Sequence, residues 1–155
     1  ALLIQRGWDP GKGSWQIPGG YVEHDEPIIP AVAREAFEEA GIVAKVRDVI
    51  AFRHSVAGAA RTASTNLYVV FRLDEVEERD PVFDNDEVTG AGFYSLDEMA
   101  NMERVQNISI WAIQKDLDFP GYVFGLDRDT PDLMVQLTER YSAALGRHRN
   151  DRPIA

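Results

Sequence analysis

Between residues 34 and 39 the chain reads Arg34-Glu35-Ala36-Phe37-Glu38-Glu39. At about 100° per residue, a helix here puts its three glutamates on one side within an arc of roughly 100°. Carboxylates stacked in this way repel one another. A divalent cation answers that repulsion, because hard Mg²⁺ or Mn²⁺ takes oxygen ligands and binds through a few carboxylates plus substrate phosphates. A solvated acidic face accounts for the helix alone equally well. The stretch in front tips the balance: Pro18-Gly19-Gly20 permits a turn that side chains would obstruct and brings a main-chain carbonyl towards the same ion. On this reading Glu38 and Glu39 are the principal ligands and the Gly20 carbonyl adds another. Glu35 either ligates or positions a nucleophile, and Arg34 orders the cluster by pairing with Glu26 or Glu38.

The elements that must hold these groups follow from periodicity. Ile28, Ile29, Val32, Ala33, Ala36, Phe37 and Ala40 fall within roughly 140° of the helical wheel, a stripe suited to packing on a core. Pro27 and Pro30 fix the start of the helix between them, since proline is tolerated only in a first turn. Gly41 is a good terminator. Before the turn, residues 1–6 read as a strand and 14–17 as a short one, separated by the turn-rich Gly7 to Gly13. After the helix, residues 43–54 alternate as a strand. A second strand, 65–73, is almost continuously apolar and is expected to be central. The small residues 56–63 form the loop between them. Residues 92–96 make an aromatic strand, 96–99 and 108–117 helices, and 131–145 a final amphipathic helix. Phe119 to Gly125 reads as an apolar loop, an edge strand, or the contact of a homodimer. Residues 147–155 are expected to be a poorly ordered tail.

The string from Gly20 to Ile42 fits G-x5-E-x7-R-E-U-x-E-E-x-G-U, with Gly20, Glu26, Arg34, Glu35, Glu38, Glu39, Gly41 and Ile42 in place. In this it resembles the Nudix hydrolases, a highly specific match. Ala36 is smaller than the aliphatic residue usual at its position, and Asp25 stands where the family often has glycine. The resemblance implies an α/β fold, the Nudix-type α/β/α sandwich with a mixed β-sheet. It also implies hydrolysis of nucleoside diphosphates linked to another moiety, with Mg²⁺ or Mn²⁺ held by the R-E-x-x-E-E carboxylates. An acid before the aromatic strand completes the metal site or acts as base in such proteins. Glu87 is the favoured residue, with Asp84 and Asp86 as substitutes, and the base is open between Glu35 and Glu87. The family's fold would place a further strand ahead of Ala1.

In such a site, water attacks a phosphorus of a pyrophosphate linkage. Arg53 and His54, at a strand end beside a flexible loop, are the candidates for contacts to phosphate or base. Arg61 in that loop reads as a solvated charge. Trp15 is read as packing, and Trp8 and Trp15 are the aromatic residues available to stack on a base. Neither residue that commonly marks ADP-ribose or dinucleoside polyphosphate hydrolases occurs 15 to 18 positions past the box, so the substrate is not specified. A Nudix-like domain that senses a nucleotide without cleaving it is the alternative, although the retained carboxylates count against it.

Composition narrows the classes further. A chain of 155 residues suits one domain, taken as 1–146. Its hydrophobic fraction of 45% is enough to build a core. The formal net charge of −10 argues against nucleic acid as partner, since such proteins show a basic stripe; a small nucleotide remains accessible once cations offset the carboxylates. Cysteine is absent, which excludes disulfides and thiolate chemistry and fits a cytoplasmic protein. No apolar run approaches the ~20 residues of a membrane span, and Ala1 to Ile4 is too short for a signal peptide.

Overall fold

A computed structural model describes residues 1–55, 65–83, 86–121 and 123–127. The expected loop 56–63 with Arg61, the acid Asp84, the helix 131–145 and the tail 147–155 lie outside the described residues. The chain divides into two compact units, residues 1–47 with 72–114, and residues 48–71 with the chain from Lys115.

In the first unit, β1 (Leu2–Arg6) lies between β2 (Trp15–Gln16) and β5 (Val88–Phe93), antiparallel to both. Leu2 faces Phe93 and Ile4 faces Ala91, and the register slips between Gln5 and Arg6 so that Arg6 opposes Val88. Ile4, Ile42 and Val88 are buried beside Ala40 at the helix end, and Leu3 is buried as well. The aromatic strand expected over 92–96 therefore begins earlier and ends at Phe93. Ser95 instead opens helix α2 (Leu96–Ala100). Its Oγ accepts from the Glu98 N–H while the Glu98 carboxylate accepts from the Ser95 N–H, a reciprocal cap that holds the chain out of the sheet.

Helix α1 (Ile28–Ala40) starts directly after Pro27, with Pro30 harmless in its first turn. It ends at Gly41, whose φ of 65° lets its N–H reach the Phe37 carbonyl. Its buried positions are Ala31, Ala36 and Ala40, whereas Ile29 and Phe37 are 48% and 54% exposed. The expected apolar stripe is thus corrected: α1 presents its smallest side chains to the interior beside β5, and methyl-sized groups allow close approach. Ala36, the small residue in the box, is one of them.

In the second unit, β3 (Ala44–Ser55), which begins in the first, lies between β4 (Asn66–Glu75) and β6 (Phe124–Asp127). β6 runs parallel to β3, with Ala51 opposite Phe124 and His54 opposite Asp127. Among the described strands β4 is therefore an edge, contrary to the expectation of a central position, because β6 occupies the far side of β3. Helix α3 (Asn107–Asp118) completes the described elements. No helix of the described residues is long and apolar enough to cross a membrane.

Candidate active site

Arg34 is the hub of the acidic helix face. Its Nε and Nη2 meet the two oxygens of Glu26 at 2.9 and 3.0 Å. Nη1 meets Glu35 Oε1 and Glu38 Oε2, each at 2.9 Å, and Nη2 also donates to the Tyr21 carbonyl at 3.1 Å. Both pairings open from the sequence, with Glu26 and with Glu38, are present, and Glu35 joins them. The bidentate contact holds the Glu26 carboxyl below the usual carboxylate range, and hydrogen bonds to Glu26 and Glu38 raise the Arg34 pKa. Glu26 Oε2 also accepts from the Glu23 N–H at 3.1 Å. One guanidinium thereby ties the loop 21–26 to the helix.

Glu39 behaves differently. Its Oε2 accepts the Gly19 N–H at 2.8 Å, and its side chain is partly buried. Burial pushes its pKa up to about 7, and the charges of Glu35 and Glu87 push in the same direction, against the Gly19 hydrogen bond and Arg6. Glu35 and Glu87 therefore act on the same carboxylate although they are far apart in sequence. Gly20 belongs to this arrangement through its missing side chain, since a Cβ there would run into the Glu35 carboxylate.

Glu87 reaches the site through β1. The Gly7 N–H donates to the Glu87 carbonyl at 2.7 Å, next to the Arg6–Val88 pairing. Arg6 lies at the same strand end, its guanidinium 3.9 Å from the centre of the half-exposed Trp8 ring. Its Nε is buried without a hydrogen-bond partner among the described residues. Sequence reading passed over Arg6 as the last residue of a strand. Only the long-range pairing of β1 with β5 brings it to Glu39, and no local signal carries that. Arg53 and His54 lie on β3 in the second unit, where the Arg53 guanidinium sits 5.1 Å from the centre of the Tyr68 ring. Trp15 packs edge-on against Tyr94 at 5.4 Å, a packing role as expected.

The donor set fits a hard divalent cation in chemistry, because carboxylate oxygens gather where Glu39 carries more negative surroundings than Arg6 offsets. The positions need adjustment. Among the described residues no three His, Asp or Glu side chains are close enough together to hold a metal ion. The expected set of Gly20, Glu35, Glu38, Glu39 and Glu87 is thus not drawn into one cage. Arg34 turns an oxygen of Glu35 and of Glu38 to itself. A cation has to compete with one guanidinium for those two carboxylates, a matter of side-chain rotation on a fixed helix.

The family model described as NUDIX domain matches residues 1–112. Human nucleoside diphosphate-linked moiety X motif 6 is 34% identical over 72 residues, covering 46% of this chain and 23% of that protein. An ADP-ribose pyrophosphatase of Methanocaldococcus jannaschii is 45% identical over 49 residues, covering 32% of this chain and 29% of its own length. The chain thus spans about a quarter of the length of these two curated relatives. Among solved structures, a NUDIX hydrolase from Nitrosomonas europaea superposes with a TM-score of 0.65 at 18% identity, over 82% of this chain and 71% of that one. The NUDIX domain of Shewanella oneidensis NrtR complexed with ADP ribose gives 0.62 at 19%, over 76% and 75%. At such identities these two likenesses establish the α/β fold.

Proposed function

Since the chain belongs to the NUDIX domain family, whose model covers residues 1–112, we propose that it is a divalent-metal-dependent hydrolase. It cleaves the pyrophosphate linkage of a nucleoside diphosphate joined to another moiety, such as ADP-ribose, a nucleotide sugar or a nucleoside triphosphate. ADP-ribose is the first compound to try, because one relative is named an ADP-ribose pyrophosphatase and one solved domain is complexed with ADP ribose. The observation that carries the reading is Glu39, a partly buried carboxylate pushed up to about 7 by burial and by Glu35 and Glu87. Carboxylates crowded against one another in this way are a mark of functional sites.

Glu38 and Glu39 would be the principal holders of Mg²⁺ or Mn²⁺, joined by Glu35, Glu87 and the Gly20 carbonyl. The cation would supply charge neutralisation for the phosphate oxygens and lower the pKa of water. The water oxygen forms a bond to phosphorus as the bridging P–O bond breaks, and its proton passes to a carboxylate, Glu35 or Glu87. Arg34 sets the rotamers of Glu35 and Glu38 by its hydrogen bonds. Arg6, pinned on Trp8 with a buried Nε that has no hydrogen-bond partner among the described residues, offers a guanidinium to the diphosphate. We place the activity in the cytoplasm, a reading supported by the cysteine-free composition.

The test is a mass-spectrometric screen of nucleotide sugars, dinucleotides and nucleoside triphosphates with and without Mg²⁺. Release of a nucleoside monophosphate from at least one compound, lost in Glu39→Gln, is the expected result. Binding-only function has one observation in its favour, the engagement of Glu35 and Glu38 by Arg34. Tight binding across the panel without turnover would replace hydrolysis by that reading.

A further inference from the structure

We infer that Ser109, on α3, is a positioning residue for the site: its buried hydroxyl fixes the main chain from Ile17 to Gly20, which spaces the carboxylates of Glu35 and Glu39. The side chain of Ser109 is at 0% exposure, and its Oγ accepts the Ile17 N–H at 3.1 Å across 92 residues of sequence. Next comes Pro18, which has no N–H and a fixed φ. The following donor, Gly19, is the one bound to Glu39 Oε2 at 2.8 Å. One stiff residue therefore separates the amide held by Ser109 from the amide that holds Glu39. Gly20, directly after, lies against the Glu35 carboxylate.

The approach to that turn is braced by the same part of the chain. The Trp15 N–H donates to the Arg104 carbonyl at 3.0 Å, and the Gln106 N–H to the Trp15 carbonyl at 2.8 Å. Gln106 Nε2 donates to Gln16 Oε1 at 2.6 Å. β2 has only two residues on β1, too few to fix a turn by itself. The glycine turn is anchored as much to residues 104–109 as to its own sheet. Packing does not explain a serine here. Ala112, one turn further along α3, is equally buried, and alanine is the better helix former. A buried hydroxyl is unfavourable unless it is bonded, and the Ile17 N–H supplies that bond.

The kinetic consequence rests on the hydrolase reading, whereas the positioning itself is measurable without substrate or metal. Amide hydrogen exchange is followed by NMR in the metal-free full chain of the wild type, Ser109→Ala and Ser109→Thr. In Ser109→Ala the amides of both Ile17 and Gly19 are expected to exchange at least about tenfold faster. Ser109→Thr, which keeps the hydroxyl, stays near the wild type. Turnover per folded molecule and Mn²⁺ affinity of Ser109→Ala fall on the order of tenfold, the usual scale for groups that orient ligands, with KM within about twofold. An accelerated Ile17 amide beside an unchanged Gly19 amide would overturn the inference, since the hydroxyl would then act only on its own partner. If Ser109→Ala does not fold, Ser109→Cys, with its weaker acceptor, is read by the same two amides. A wild type that hydrolyses nothing and binds no Mn²⁺ refutes the proposed function instead, with the Gly19 amide still deciding the role of Ser109.

Discussion

Glu39→Gln removes one negative charge from the site and keeps an oxygen for the Gly19 N–H, so its effect on stability isolates the electrostatics. The Glu39 carboxyl is raised from its ordinary 4.5 to about 7, first by burial and then by Glu35 and Glu87. A carboxylate whose pKa is higher folded than unfolded makes the native state bind its proton more tightly. Stability is therefore fully present below about pH 4.5 and declines as pH rises towards 7. At about 1.4 kcal/mol per tenfold change, the full interval corresponds to about 3 kcal/mol. The side chain is only partly buried, so water screens its neighbours and roughly 1–2 kcal/mol is expected in practice. Without metal near pH 8, Glu39→Gln should thus be the more stable protein, by about 2–6 °C in Tm for a chain of this size. The advantage should shrink as pH falls and vanish below about pH 4.5. Millimolar Mg²⁺ should reverse the order at pH 8, raising the Tm of the wild type and not of the variant. The assay is thermal unfolding across pH in EDTA and in Mg²⁺. A variant no more stable than the wild type at pH 8 in EDTA would refute the electrostatic reasoning, whatever happens to turnover.

Further outcomes follow from individual contacts. Gly20→Ala brings a Cβ onto the Glu35 carboxylate and, because that side chain can swing aside, should lower kcat at least about tenfold with a stability loss of about 1 kcal/mol or less; steady-state kinetics and denaturant unfolding check both. Asp25, exposed and at φ 64°, occupies the left-handed region where glycine is at ease, so Asp25→Gly should stabilise by about 0.5–1 kcal/mol with turnover unchanged. Arg34→Lys cannot reproduce a guanidinium that serves Glu26, Glu35 and Glu38 at once, and activity should fall about 10- to 100-fold while Mg²⁺ still binds by calorimetry. Of Glu35→Gln and Glu87→Gln, the one that removes the proton acceptor lowers kcat with KM held; equal small losses in both would exclude either as base.

What was legible in the sequence was whatever depends on near neighbours along the chain. The spacing of Gly20, Glu26, Arg34, Glu35, Glu38 and Glu39 fixes one helix and the turn before it, and the helix bounds, the Gly41 cap and the partners of Arg34 all follow at short range. The errors were long-range. The apolar wheel counted Ile29 and Phe37 as core, because periodicity reports which residues share a face and not how close the opposing sheet comes; the interior beside β5 admits Ala36 and Ala40 and leaves the larger side chains out. β4 looked central from its own composition, and what makes it an edge is the pairing of β3 with β6 far along the chain. The site divides along the same line. The spacing brings Glu26, Glu35 and Glu38 to Arg34, whereas Arg6, the Gly19 N–H and Ser109 act through contacts bridging 20 residues or more, and each is an ordinary strand end, turn or helix residue by local pattern. The box thus specifies the acids, and the groups that set the charge and spacing of those acids come from β1, the glycine turn and α3. Substitutions outside residues 20–42 can therefore shift the charge and spacing of those acids without touching them.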